Sequence, residues 1–348
     1  PGRNQEEPIE VLGRPFVRGG EFKDLILPMP IIKGLESEGI WGNSNVIPRD
    51  MHNGLEDQNW HFWGGNPIKG KDGGYHVAIC RWPAKNKFDG WPQSEAAYYT
   101  SVNPIGPYTF KRTIINRMHN PELMVTRDGR YALHGMHANM YVANKMNGPW
   151  KLLGTMELNS NGFRKTDKFG PNVTKTYRPD GSILAMCKQG EITVSQKALL
   201  GPYEMISIRN VDSSTGWAED PVIWRSRHQY HVIYNRNQDF RSCYMRSLDG
   251  IHWKNEHGRP YIHGGDLYYV DGSKNNWHTL ERPKVIQDKL GRATHLTFGV
   301  TDIHRGSSNM PEHGSKNLII PLMTEKIVTI LGDKPILANT RKIQLRIE

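Results

Sequence analysis

The apolar positions of this chain fall in short runs, among them Val77 to Cys80, Ala96 to Thr100, Ile183 to Cys187, His231 to Tyr234 and His295 to Val300. The runs are rich in Val, Ile, Tyr, Thr and Met. They are cut by Asp-Gly pairs at Asp72, Asp128, Asp180 and Asp249 and by Gly-Pro pairs at Gly106, Gly148 and Gly201. Short runs of β-favouring residues punctuated by tight-turn dipeptides predict antiparallel meanders, and helical periodicity is weak throughout.

The runs also repeat as a set. "WGGNPIKGKDGGYHVAICRW" with "EAAYYTSVNPIGPYTFKR" is followed by "HNPELMVTRDGRYALHGMHANMYVANKMNGPWKLL" from His119 and "GPNVTKTYRPDGSILAMCKQGEITVSQKALLGPYEMI" from Gly170. "AEDPVIWRSRHQYHVIYNRNQDFRSCYMRSLDGIHW" follows from Ala218, and "ERPKVIQDKLGRATHLTFGV" from Glu281. The prolines that open the units, Pro67, Pro121, Pro171, Pro221 and Pro283, lie 54, 50, 50 and 62 residues apart, room each time for about four short strands. The expected fold is therefore all-β, a five-bladed β-propeller in a single domain spanning 1–348. Residues 1–54 are assigned to an N-terminal extension and ring closure, 55–300 to the blade repeats and 301–348 to closing strands. The clasp is expected from the region 8–20 with the apolar stretches 315–333 and 341–348. A β-sandwich with coincidental turn spacing is the competing fold.

Composition narrows the partners. Lys plus Arg number 45 against 35 Asp plus Glu, a formal net charge of +10, which favours an anionic ligand. The basic residues form no arm, and no nucleic-acid module signature is present, so an acidic soluble ligand is expected rather than nucleic acid. No apolar run reaches the eighteen or so residues of a membrane span, and no membrane partner is expected. Cys80, Cys187 and Cys243 lack the paired spacing of a zinc or redox motif and read as buried thiols. Asn172-Val173-Thr174 matches a glycosylation sequon, but its place at a blade start marks it as chance.

In a propeller the innermost strand of each blade begins at the rim of the central channel, so remote positions become neighbours. The converging set is Gly65 and Asn66, His119 and Asn120, Gly170 with Asn172, Glu219 and Asp220, and Glu281 with Arg282. Convergent carboxylates in unlike environments suit glycosidic-bond hydrolysis, one protonated to donate to the leaving oxygen and one ionised to activate water or attack the sugar. Glu219, Asp220 and Glu281 are the candidates. Trp60, Phe62 and Trp63, with Arg81, Trp82, His134, His137, Lys188, Asn235 and Arg236 on second strands, would supply stacking surfaces and cationic donors for an acidic sugar.

The blade starts "WGGNP", "HNPE", "GPN", "AEDP" and "ERP", with the ends "GPW" and "GPY", resemble those of five-bladed propeller glycoside hydrolases of the family 43 type. The likeness covers roughly residues 55 to 300, with a remoter similarity to family 117, which acts on anhydrogalactose-bearing red-algal oligosaccharides. The resemblance implies an Asp base at the first blade, an Asp that orients and tunes, and a Glu acid. Asn66 stands where the base would be, so Asp57 is the substitute from upstream. Asp220 matches the modulator, and Glu219 or Glu281 the acid, with His119 or His278 as a family 117-like replacement.

The expected activity is thus that of a glycosidase, exo-acting on acidic or sulfated algal or plant oligosaccharides. A polysaccharide lyase acting beside a uronate and a carbohydrate-binding propeller without catalysis are the alternatives. Trp63, Asn66, Arg81, His134, His137, Lys188, Asn235 and Arg282 are the expected substrate-binding residues. No cofactor is expected to be required and no catalytic metal is assigned, although the resemblance leaves room for a structural divalent cation in the channel. The chain opens at Pro1 without a signal-peptide pattern, and the expected setting is periplasmic or secreted in a bacterium.

Overall fold

The structure, a computed structural model, describes residues 21–32, 37, 41, 43–47, 53–196, 198–208, 218–227, 229–236, 241–256, 258–312 and 314–324, with the backbone of two short hairpins near the termini. It is a five-bladed β-propeller forming a single domain. The first blade runs outward from Trp60–Trp63 and Ile68–Lys69 through Tyr75–Pro83 and Glu95–Ser101 to Thr109–Ile115. The second consists of Glu122–Val125, Tyr131–His134, Asn139–Ala143 and Lys151–Thr155. Thr174–Tyr177, Ile183–Cys187, Glu191–Ser195 and Tyr203–Ser207 make the third, with Leu158–Asn159 added in parallel at its edge. Ala218–Arg225, Tyr230–Arg236, Arg241–Ser247 and Lys254–Asn255 make the fourth.

The fifth blade takes its three inner strands, Thr279–Gln287, Ala293–Thr301 and Lys316–Pro321, from the C-terminal part of the chain, and its outer strand, Gly54–Leu55, from near the start. The antiparallel pairs Asn317 with Leu55 and Leu318 with Gly54 therefore close the ring. Of the expected clasp, positions 8, 12–13, 17–20, 325–327, 331–333, 341–344 and 348 lie outside the described residues. Ile9–Val11 pairs with Arg14–Phe16 and Val328–Ile330 with Leu345–Ile347, each as its own hairpin. No helix among the described residues is long and apolar enough to cross a membrane.

Strand alternation explains why both faces of every blade are apolar. On Ile183–Cys187, Ile183, Ala185 and Cys187 turn to a core shared with Ala132 and Met140 of the second blade, while Leu184 and Met186 turn to one shared with Ile223 and Val232 of the fourth. The other junctions repeat this arrangement: Ala78 and Tyr98 with Leu123 and Leu133, Ile233 and Val222 with Leu280 and Phe298, and Leu55 and Ile319 with Phe62 and Val77. Each fully buried Leu or Ile contributes about 1.5–3 kcal/mol, so the junctions between blades carry the fold.

The innermost strands start in an unusual conformation. Gly64, Asn120, Asn172, Asp220 and Arg282, one from each blade, all have left-handed backbones, with φ of +63°, +52°, +62°, +52° and +55°. Glycine, Asn and Asp tolerate that region; Arg282 is held there by its side-chain partners. In the fourth and fifth blades the strand register shifts across these residues, between Glu219 and Val222 and between Glu281 and Lys284, so each carries a bulge at the rim.

Candidate active site

The left-handed residues form a plate across the channel. The Asn120 amide donates to Asn172 Oδ1 at 3.2 Å, and the Asn172 amide to Asp220 Oδ1 at 2.7 Å. From the other side Arg282 donates Nη1 to Asp220 Oδ1 at 2.7 Å and its backbone N to Oδ2 at 3.3 Å. Gly64 fills the remaining place: a Cβ there would lie 3.6 Å from Asn120 Oδ1 and 3.9 Å from Arg282 Nε. The first-blade position on this plate therefore carries no side chain.

Above the plate stand the residues that precede it. Glu281 is mostly buried, with 12% of its side chain exposed, and bonds Arg305 Nη1 at 2.7 Å. Burial raises its pKa to about 7, with the nearby charge of Asp220 adding to the rise and Arg305 and Arg282 opposing it. Glu219 is ion-paired to Lys188, which begins a short 3-10 turn in the third blade. His119 packs against Trp91 at 4.9 Å and bonds Ser94 Oγ through Nδ1 at 2.9 Å. Its pKa is lowered to about 3, chiefly by burial and then by Arg282, so the ring is neutral near pH 7. His137 is exposed on the adjoining loop, close enough to add to that lowering. His278 meets His304 edge-to-face at 5.8 Å and bonds Thr279 Oγ1 at 2.9 Å, with burial and His304 lowering its pKa.

The structure thus brings Glu219, Asp220, Glu281, Arg282, His119 and Lys188 to one face, and Asn235, paired in register with Glu219, lies beside them. Asn235 is buried and accepts a hydrogen bond from the Tyr261 hydroxyl.

Other expected site residues lie elsewhere. Asp57 shapes a turn, accepting the Asn59 amide at 2.8 Å, and lines a lateral cleft with Trp60, Arg81 and Phe110 rather than the plate. Arg81 sits in that cleft, 3.9 Å from the Trp60 ring and 4.1 Å from that of Phe110, bonded to Glu95 at 2.8 Å. Its side chain follows Phe62 toward the fifth blade rather than the channel, because alternation along the strand decides the face. Trp63 is 3% exposed, packed on Phe88 and lying so close to Gly299 that a Cβ at Gly299 would be 2.5 Å from the indole; it is a packing residue and not an open platform. Asn66 and His134 lie below the plate. Asn66 joins the first two blades by bonding both the N–H and the C=O of Leu123, at 2.8 Å and 2.6 Å. His134 Nε2 accepts from Lys175 Nζ at 2.9 Å.

Three residues on the site face were not anticipated. Arg305 comes from the loop after Ala293–Thr301, and Trp91 from the Phe88–Gln93 turn inserted between two strands of the first blade. Tyr261 reaches Asn235 from a connecting segment. The insertion "KNKFDGWPQS", longer than a hairpin needs, was the one available signal for Trp91.

A divalent cation in the channel is a poor fit. The charged groups lining it are Lys69, Lys175, Lys284 and Lys289 with two carboxylates, Glu122 paired to Lys284 and Asp288 tied to Arg292, whereas calcium and magnesium need several oxygen ligands. Among the described residues no group of three His, Cys, Asp or Glu is placed to hold a metal.

No protein-family model matches this chain, and no curated protein matches it by sequence. Solved structures match it by shape. A family 117 glycoside hydrolase produced by the marine bacterium Zobellia galactanivorans superposes with a TM-score of 0.54 at 12% identity, over 85% of this chain and 88% of that one. A thermostable family-43 glycoside hydrolase gives 0.52 at 13% identity, over 81% and 97%. A protein of unknown function from Dyadobacter fermentans gives 0.52 at 14%, over 77% and 96%. The chain has the five-bladed propeller fold that these proteins share.

Proposed function

We propose that the protein is a glycoside hydrolase that releases a terminal sugar from an acidic or sulfated oligosaccharide of algal or plant origin. The observation that carries this reading is the pair of carboxyl groups on neighbouring blades, Glu281 holding its proton near neutrality and Asp220 bound by Arg282 and Asn172. Glu281 is the general acid that protonates the leaving oxygen. Glu219, one residue from Asp220 and bonded to Lys188, is the base or nucleophile, and Asp220 the orienting group. Arg305, Lys188 and His137, with Trp91 packed at a tilt against His119, would hold a charged sugar. A periplasmic or secreted setting goes with such a substrate. Family 43 and family 117 enzymes on the same fold add support by analogy only.

The test is incubation with carrageenan, agar, porphyran, ulvan and pectin oligosaccharides, with released monosaccharide and unsaturated uronate read by chromatography and absorbance. Monosaccharide release that disappears in Glu281→Gln supports the reading; no turnover of any acidic glycan overturns it. The empty side-chain position at Gly64 favours a second reading, a carbohydrate-binding propeller, which would show as binding with the ligand recovered intact.

A further inference from the structure

The channel continues beneath the plate. There the inner strands enclose a cavity of about 770 Å³, lined by Glu122, Lys175, Tyr177 and Lys284 and, at its mouth, by Lys69 and Lys289. These positions lie toward the far ends of the inner strands, so the mouth opens on the face opposite the candidate active site.

Charge inside this cavity does not balance. Lys284 is 2% exposed and ion-paired to Glu122, whose other oxygen accepts from Thr174 at 2.8 Å. Lys175 is 7% exposed, and its ammonium bonds His134 Nε2 at 2.9 Å and lies 3.8 Å from Met156 Sδ, both uncharged partners. His134 is held well below its ordinary pKa by burial and then by Lys175, so the ring stays neutral and contributes no charge of either sign. Two amino groups thus share one carboxylate in a site shielded from solvent, where an unmatched charge is costly.

We propose that this cavity is an oxyanion-binding site in which Lys175 and Lys284 hold a sulfate, phosphate or sugar-borne carboxylate. Each lysine offers three N–H donors, and an anion between them restores neutrality with charge-assisted hydrogen bonds. The exposed Lys69 and Lys289 draw anions to the mouth, where Asp288 is tied to Arg292 at 2.8 Å. The volume takes a whole monosaccharide bearing the charged group. The site stands apart from the glycosidase reading, since the plate separates it from Glu281.

The groups facing Lys175 are Glu122 and His134 of the second blade, Cys187 of its own and Lys284 of the fifth. Burial lowers the Lys175 pKa to about 7, Glu122 opposing and Lys284 assisting, so the lysine gains charge as pH falls through neutrality.

The test titrates the whole protein with sodium sulfate, phosphate, glucuronate and galactose 6-sulfate at fixed ionic strength made up with chloride, by calorimetry. Saturable binding absent with chloride is expected, tightening as pH falls from about 8 to about 6. Lys175→Met, which leaves His134 and Met156 beside a neutral chain, should weaken it about 10-fold or more. Crystals soaked in selenate should show the anion between the two amino groups. Tighter binding of the sugar-borne anions would name a glycan fragment as the ligand, and of the inorganic ones a free ion; either supports the site. Sulfate binding no stronger than chloride, or unchanged in Lys175→Met, overturns it. Should that variant fail to fold, Lys69→Ala with Lys289→Ala and the selenate position decide: unaltered affinity with the anion elsewhere overturns the site.

Discussion

Arg282 of the fifth blade and Asp220 of the fourth meet at 2.7 Å on the floor of the site, with 4% and 6% of their side chains exposed. Both have left-handed backbones, so this ion pair holds two bulges in register as well as two charges together. Arg282→Met leaves Asp220 buried with the Asn172 amide as its remaining side-chain donor. Removing one partner of a buried pair costs about 3–5 kcal/mol, and urea denaturation should show a loss of that order. A loss under about 1 kcal/mol would mean that the pair is not needed to hold the plate.

Glu281 should set the alkaline limit of activity. A general acid must carry its proton, so the rate should fall as pH rises through about 7. Glu281→Gln should lower kcat about 100- to 10,000-fold with the fold intact. Arg305 opposes the upward shift, so Arg305→Met should move the alkaline limb to higher pH. A pH–rate profile of the two variants beside the parent reads both effects, and an unmoved limb in Arg305→Met would detach the limb from Glu281.

The same group ties stability to pH. The unfolded chain releases this proton near the ordinary 4.5, while the folded protein keeps it to about 7. The stability it contributes is therefore present below about 4.5 and lost as pH rises through about 7. Thermal unfolding across that window should show a decline that Glu281→Gln removes.

The propeller was legible because its signal is repeated: prolines about fifty residues apart, with Asp-Gly turns inside the first four units, mark the blades independently of any one strand. The rim carboxylates Glu219, Asp220 and Glu281 were legible for the same reason, since every blade start must reach the channel. Trp63 and Asn66 were placed differently because their direction depends on alternation along an inner strand interrupted by Gly64 and Gly65, and Arg81 because alternation along Tyr75–Pro83 turns it to the same side as its partner Phe62. One residue of register turns a side chain from channel to blade junction. Arg305 and Trp91 arrive on loops between strands, where sequence spacing carries no geometry. The left-handed plate was half visible, since Asn120, Asn172 and Asp220 are residues that favour such turns, but an arginine in that conformation has no sequence signature.

Beneath the plate, Lys284 and Glu122 form a buried pair between the fifth and second blades, across the channel. Lys284→Met strands the carboxylate and should cost about 3–5 kcal/mol, whereas Lys284→Met with Glu122→Leu should recover much of it, because the desolvation of both charges disappears together. A double-mutant cycle by chemical denaturation measures the coupling. Additive losses would show that the two charges act independently.

Ring closure rests on two residue pairs, and Gly54 is in both a tight and a strained position. Its φ of +102° suits glycine, and a Cβ there would lie 2.1 Å from the backbone oxygen of Asn317. Asn317 is the residue that joins the closing strand to the first blade, its amide bonding Phe298 O at 3.2 Å and Gly64 O at 3.4 Å. Gly54→Ala therefore pushes the outer strand off the fifth blade and disturbs the Gly64 end of the plate at once. The expected loss exceeds about 1 kcal/mol, the scale set for alanine placed at positive φ, and the steric clash adds to it. Hydrogen exchange should locate the damage: protection should fall first along Lys316–Pro321 and at Gly54 and Leu55, while the blade formed by Thr174–Tyr177 and Ile183–Cys187, on the far side of the ring, keeps its amides longest. A uniform loss of protection would mean that the ring opens at no particular blade and that these pairs are not its closure.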